Sequence, residues 1–315
     1  MLSVLVVVAA IFAVIAIGYA AGRSGYLSKD AARGIADFAF RIAIPALLFH
    51  TVVTAKFEGV APLGVIASFF GAVAAVWAIT TALAFAIGRP AADHPSLAIS
   101  ATFGNTVMLG LPIGASTLGQ EALAPISAII ACHSPILLLT ATLHAAGVGN
   151  HGADGARPTV REAIISVLRQ LAAQPLVIAI FAAVMWRLSG LPLPTPVLMT
   201  AEMLARAGVP AALISLGLSL ATFKITGDAR TVSMLLVLKL VLMPAIAAGL
   251  AFALALPPLS FAVVVMMAAL PAGANAYLFS SHTGHAVNVA SGAVAIGTAV
   301  SAVTLSLILL ALKSP

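Results

Sequence analysis

Two asparagines stand in matching glycine- and proline-rich runs far apart in the chain. One run reads SATFGNTVMLGLPIG and holds Gly104, Asn105, Thr106, Gly110, Pro112 and Gly114. The other reads ALPAGANAYLFSSHTG and holds Pro271, Gly273, Asn275, Tyr277 and Gly284. Asn105 lies nine residues before Gly114, and Asn275 nine before Gly284. Glycine and proline interrupt the hydrogen-bond ladder of a helix and free backbone N–H and C=O groups. An asparagine amide both donates and accepts, so it can hold an unwound strand or a ligand. A helix that restarts after such a break offers N–H groups and partial positive charge, which suit a carboxylate. The chemistry is recognition of a small anion. The competing account is that the glycines serve close helix packing and the asparagines satisfy neighbouring backbone.

Ionisable residues form the second group. Asp37 and Arg41 are four apart, as are Glu202 and Arg206, so each pair shares a helix face. They read either as internal salt bridges or as gates that attract an anion, with Arg206 a candidate for a second carboxylate. Lys239 falls well inside an apolar stretch and is read either as snorkelling to the interface or as a charge partner for an anion. His50 and His133 also lie within apolar stretches and are candidates for proton coupling or hydrogen-bonded core residues. His282 and His285 make an HxxH pair with no Cys, Asp or Glu nearby in sequence, so no metal is expected. The single cysteine, Cys132, reads as a buried thiol.

Catalytic signatures are missing. There is no HExxH, no aspartate pair and no nucleophile elbow, so an enzyme is not expected. No GxxxxGK[ST] loop is present, so ATP bound to this chain does not power it. No cofactor is called for; the open question is a coupling ion, H+ or Na+. An anion channel, and more remotely an intramembrane enzyme, are the alternatives to a carrier. A channel would pass non-saturating currents, and an enzyme would turn substrate over in purified form.

The elements that position these residues are apolar helices. Hydrophobic residues make up 62% of 315 positions, charged residues 8%, and mean hydropathy is +1.16. So few charges cannot cover a soluble surface. Residues 2–21, 62–87 and 261–279 each come close to or exceed the roughly 20 residues that span a bilayer. Ten spans are expected near 2–22, 35–54, 62–88, 97–118, 122–147, 163–188, 196–222, 230–255, 259–281 and 286–312. The first is read as a helix and not a removed signal peptide, because no basic segment precedes it. The fifteen Lys and Arg behind the net charge of +6 are scattered between spans, which excludes a nucleic-acid surface and marks topology. Arg23, Lys29, Arg33, Arg89, Arg157, Arg161, Lys224 and Arg230 fall on one side, and Lys56, Arg187 and Lys313 on the other. The first side is expected to be cytoplasmic, which places both termini outside.

The chain divides into 1–147, a polar linker at 148–162, and 163–315. DFAFRIAIPALL and EMLARAGVPAAL align Asp37, Arg41 and Pro45 with Glu202, Arg206 and Pro210, with Ser24-Gly25 and Ser189-Gly190 in the same register. Each half holds five spans, an odd number, so the second copy is expected to be inverted, an arrangement of secondary transporters.

GNTVMLGLPIG and PAGANAYLF resemble the fourth- and ninth-helix motifs of the auxin efflux carrier family, in its bacterial branch, where malonate and related dicarboxylates are assigned as substrates. The resemblance covers nearly the whole chain. It implies the bile acid/auxin transporter fold, a scaffold and a transport domain, and helices four and nine crossing at their broken centres in the midplane. It further implies elevator-type alternating access, a homodimer in the inner membrane, and Asn105, Pro112, Pro271 and Asn275 near substrate. Val107 replaces a frequent family glycine, and span three lacks the charged pair of the plant members, keeping only Trp77, Thr80 and Thr81 as polar marks. The missing charged pair points away from auxin itself.

Overall fold

A chain dissolved in lipid must satisfy its own backbone hydrogen bonds, and apolar residues in long runs do so as helices. The computed structural model describes residues 2–54, 62–149, 174–223 and 228–313, with 162, 165, 169 and 173 as isolated positions. Lys56, Arg157, Arg161, Lys224 and most of the 148–162 linker lie outside the described residues. The described chain is helical and multi-pass. Among the described residues seven helices are long and apolar enough to cross a bilayer, and three shorter apolar helices accompany them. The order is α1 (Leu2–Arg23), α2 (Lys29–Phe38), α3 (Ile44–Thr54), α4 (Pro62–Ala86), α5 (His94–Thr102), α6 (Leu111–Thr117) and α7 (Leu123–Gly147). There follow α8 (Pro175–Leu188), α9 (Thr195–Leu220), α10 (Ala229–Val237), α11 (Met243–Ala253), α12 (Pro258–Ala268), α13 (Ala274–Thr283) and α14 (Val287–Lys313). The second expected span starts earlier than its apolar core because Ser28 caps α2, its side chain accepting from the Ala31 N–H.

Prolines shape three of these helices in one way. π-turns occupy Ala39–Ala43, Thr106–Gly110 and Leu238–Leu242. Each ends two residues before a proline: Pro45, Pro112 and Pro244. A proline lacks the N–H that its preceding turn needs and crowds the carbonyl four residues back. Widening that turn to i→i+5 bonding relieves the crowding without ending the helix. Pro135 and Pro210 lie inside α7 and α9, which stay α-helical throughout. Proline alone therefore does not determine the break.

The chain forms two compact units, each drawing on both halves. The first comprises Met1–Val60, Val107–Ala131 and Leu171–Thr222. Its α1 and α9 lie close enough that a Cβ on Gly18 would stand 2.5 Å from the Ile214 carbonyl oxygen. A Cβ on Gly217 would collide with the carbonyl of Ile15. Lipid provides no hydrophobic drive for helices to associate, so close approach at small residues supplies it. The second unit comprises Ala61–Thr106, Cys132–Gln170 and Phe223–Pro315. Its buried hydroxyls, Thr80, Ser100, Thr102 and Thr298, bond back to carbonyls one turn earlier.

Candidate functional site

The second unit holds the two broken spans, and their breaks meet. α5 ends at Thr102, and Phe103 turns extended with φ −73° and ψ 98°. α12 ends at Ala268, and α13 restarts at Ala274 after the Pro271-Ala272-Gly273 segment. The two interruptions pair as a short antiparallel bridge, Gly104 opposite Ala272. The Asn105 N–H donates to the Pro271 carbonyl and the Gly273 N–H to the Phe103 carbonyl, both at 2.8 Å. Pro271 has no N–H to leave orphaned. Space at Gly273 is tight: a Cβ there would meet the Gly104 oxygen and the Phe103 ring at 3.2 Å.

Two basic side chains close on this bridge. His133, from α7, accepts the Gly104 N–H at Nε2 over 3.3 Å, and its ring lies edge-on to Phe103 with centroids 4.4 Å apart. That acceptor role puts the hydrogen of a neutral imidazole on Nδ1. Lys239 sits on the π-turn between α10 and α11 with 1% exposure. Its Nζ donates to the Ala268 carbonyl at 2.8 Å and to the Met243 sulfur at 3.1 Å. The same Nζ would lie 3.5 Å from a Cβ on Gly104, so the ammonium bonds one broken segment and stands near the other. The snorkelling account of Lys239 is corrected here. A lysine reaches the interface only when its stem can follow an apolar surface outward, and the partners of this one lie inside.

At the bridge two buried side-chain nitrogens, Asn105 Nδ2 and His133 Nδ1, have no hydrogen-bond partner among the described residues. Both are donors, and a buried unpaired donor costs about 1–3 kcal/mol. No carboxylate is buried among the described residues, so the buried ammonium of Lys239 has no buried counterion there. α13 begins at the break, which adds its N-terminal N–H groups and partial positive charge. Asn275 lies in its first turn and is half-buried. Thr106 is buried at the start of the π-turn. Tyr277 packs edge-on against Phe223 with centroids 4.9 Å apart. Gly110 and Pro112 take no part in the bridge; Gly110 ends the π-turn, Pro112 lies just past it, and both belong to the first unit.

The first unit carries a separate cavity of about 550 Å³, lined by His50, Thr51, Thr54, Gln120, Glu121, Glu202 and Arg206 among others. Arg206 Nη2 holds Glu202 Oε1 at 2.7 Å. Asp37 and Arg41 pair in the same fashion at 2.9 Å, yet both are exposed and neither lines that cavity. The sequence match is therefore kept in pairing and lost in surroundings. His50 and Glu202, singled out separately, come together; Gln120 and Glu121 were missed because neither sits in a motif.

At one end of the second unit Arg89 is a hub. Its Nη2 reaches Asp228 Oδ2 at 2.8 Å and Thr231 Oγ1 at 2.6 Å, and its Nη1 lies 3.9 Å from Asp93. His285 Nδ1 lies 3.6 Å from Asp93, which gives half of the HxxH pair a carboxylate neighbour that sequence distance hid. Among the described residues no cluster has the makings of a metal site. Asp228 also caps α10, accepting from the Arg230 N–H at 3.0 Å. The Thr231 hydroxyl, then the Arg230 N–H and the Arg89 charge, hold its carboxyl below the usual aspartate range. Elsewhere in the unit Trp77 Nε1 donates to His144 Nδ1 at 3.3 Å.

A family model described as "Membrane transport protein" matches residues 3–309. A protein of Rhizobium meliloti named "Putative malonate transporter" is 24% identical over 305 residues, covering 96% of this chain and 94% of the relative. An "Uncharacterized transporter" of Methanothermobacter thermautotrophicus is 26% identical over 308 residues, covering 95% of each.

Proposed function

The chain belongs to the membrane transport protein family, the auxin efflux carriers, and from that premise we propose that it carries small organic anions across the cytoplasmic membrane. It is a transporter and not an enzyme. The substrate class is carboxylates, malonate-like dicarboxylates before auxin-like acids. One observation carries this. The paired breaks gather a buried ammonium, two unpartnered buried donors and a half-helix N-terminus, with no buried carboxylate among the described residues to neutralise them. Such a set of donors awaits an acceptor, and a carboxylate presents two acceptor oxygens to it. The malonate named for one relative agrees with that chemistry.

The mechanism is alternating access of the elevator type. The unit holding the crossover is the transport body and the other the scaffold, and the interleaving of both halves in each unit supports that division. The halves 1–147 and 163–315 are inverted copies around the linker, both termini face outward, and two copies form a dimer. Arg206, held by Glu202 in the 550 Å³ cavity, attracts the anion. The deciding experiment is initial-rate uptake of radiolabelled mono- and dicarboxylates into proteoliposomes under imposed pH, sodium and voltage gradients. Saturable uptake with counterflow, lost in Asn105→Ala and Asn275→Ala while both variants stay folded, is the expected result. Full uptake by either variant removes that residue from the site. Non-saturating currents without counterflow would make the protein a channel.

A further inference from the structure

We infer that the ammonium of Lys239 is a resident cation, tethered where a coupling ion would bind, so that the carrier runs without sodium. In secondary transporters built on broken helices, unwound carbonyls and the C-terminal ends of half-helices coordinate the coupling cation. Here α12 ends at Ala268 inside the unit, and the last carbonyls of a helix carry partial negative charge. The cation on that end is Lys239 Nζ, bonded to the Ala268 oxygen at 2.8 Å and backed by the Met243 sulfur at 3.1 Å. The ammonium also lies against Gly104 of the other break, where a Cβ would come within 3.5 Å of it.

The placement is built, not incidental. The π-turn at Leu238–Leu242, set by Pro244, inserts the lysine into a helix that otherwise reads as lipid-compatible. Removing a charge from water costs several kcal/mol, and no buried carboxylate among the described residues offsets it. The half-helix carbonyl end is what remains to stabilise it. The neighbouring titratable group, His133, is engaged as acceptor of the Gly104 N–H, so it neither neutralises nor displaces the ammonium.

A covalently held ammonium cannot leave the site. It does not exchange with solution and so draws no energy from a sodium gradient. The anion's own gradient and the membrane potential then supply the drive. The assignment deepens the carrier reading of the crossover, and its test uses no transport. Purified protein in detergent is heated at constant ionic strength in sodium, potassium, choline or methylammonium chloride. Wild type is expected to unfold at one midpoint in all four. Lys239→Ala is expected to unfold earlier and to regain part of the loss, saturably, with sodium or methylammonium but not choline. A saturable sodium shift in wild type overturns the inference, as does a folded Lys239→Ala indifferent to every cation. Lys239→Met, which keeps the apolar stem, serves if the alanine variant does not accumulate, and the wild-type titration decides without either. A negative uptake panel would remove the carrier reading and leave this result untouched.

Discussion

Gly273 is the position where one added carbon tests the paired breaks. Its φ of −86° and ψ of 158° are open to any residue, so substitution strains no backbone and the effect is one of space. A Cβ would meet the Gly104 oxygen and Phe103 Cδ1 at 3.2 Å and the Asn105 Cα at 3.4 Å. Gly273→Ala is relieved if the strands part by ~0.3 Å, which keeps both 2.8 Å bonds within hydrogen-bond range. Its cost is then about 1 kcal/mol, part of one net hydrogen bond plus the lost packing. Gly273→Val adds two methyl groups to the same space and breaks both bonds, at about 1–3 kcal/mol for each buried pair left unmade. Thermal unfolding in detergent and initial-rate uptake in proteoliposomes are read together. The alanine variant should unfold slightly early and transport slowly; the valine variant should unfold much earlier and not transport. Wild-type midpoint and rate in Gly273→Val would show that the breaks do not pair, and the site built on them would go with the pairing.

Gly217→Ala drives a methyl into the Ile15 carbonyl and should cost about 1–3 kcal/mol by overpacking, whereas Gly34→Ala, with nothing near its Cβ, should be neutral or stabilising in the same melts. Arg206→Gln removes an exposed ion pair, so stability should hold while KM for a dicarboxylate rises about tenfold; misfolding instead would make the pair structural. Asp228→Ala removes the α10 cap and an Arg89 partner. Because the folded carboxyl titrates below its ordinary 3.8, its stabilisation is full above that value and fades as pH falls through the lower folded one. The gap between wild type and Asp228→Ala in melts should therefore be widest at neutral pH and close in acid; a gap that widens in acid would reverse the assignment.

The helical, multi-pass character and the location of both breaks were legible in the sequence because they depend on local properties. Apolar run length fixes what can cross lipid, and a Gly or Pro interrupts the backbone wherever it stands. The acid–arginine pairs were legible for the same reason, since four residues make one helical turn. What tertiary structure alone decided is which groups surround each one. Lys239 reads identically in sequence whether it snorkels or caps α12, because the choice depends on Ala268, a residue on another helix. Arg89 looked like a topology charge until Asp93, Asp228 and Thr231 converged on it. His50 and Glu202 share a cavity that no spacing announces, while Asp37 and Arg41, matched to Glu202 and Arg206 in pattern, lie outside it. Pro112 marks a π-turn and not the break, since a proline widens or interrupts a helix according to what can take up the freed carbonyl. Covalent sequence sets where the chain gives up its own hydrogen bonds; the partner that replaces them comes from distant segments, and only packing brings it within hydrogen-bond range.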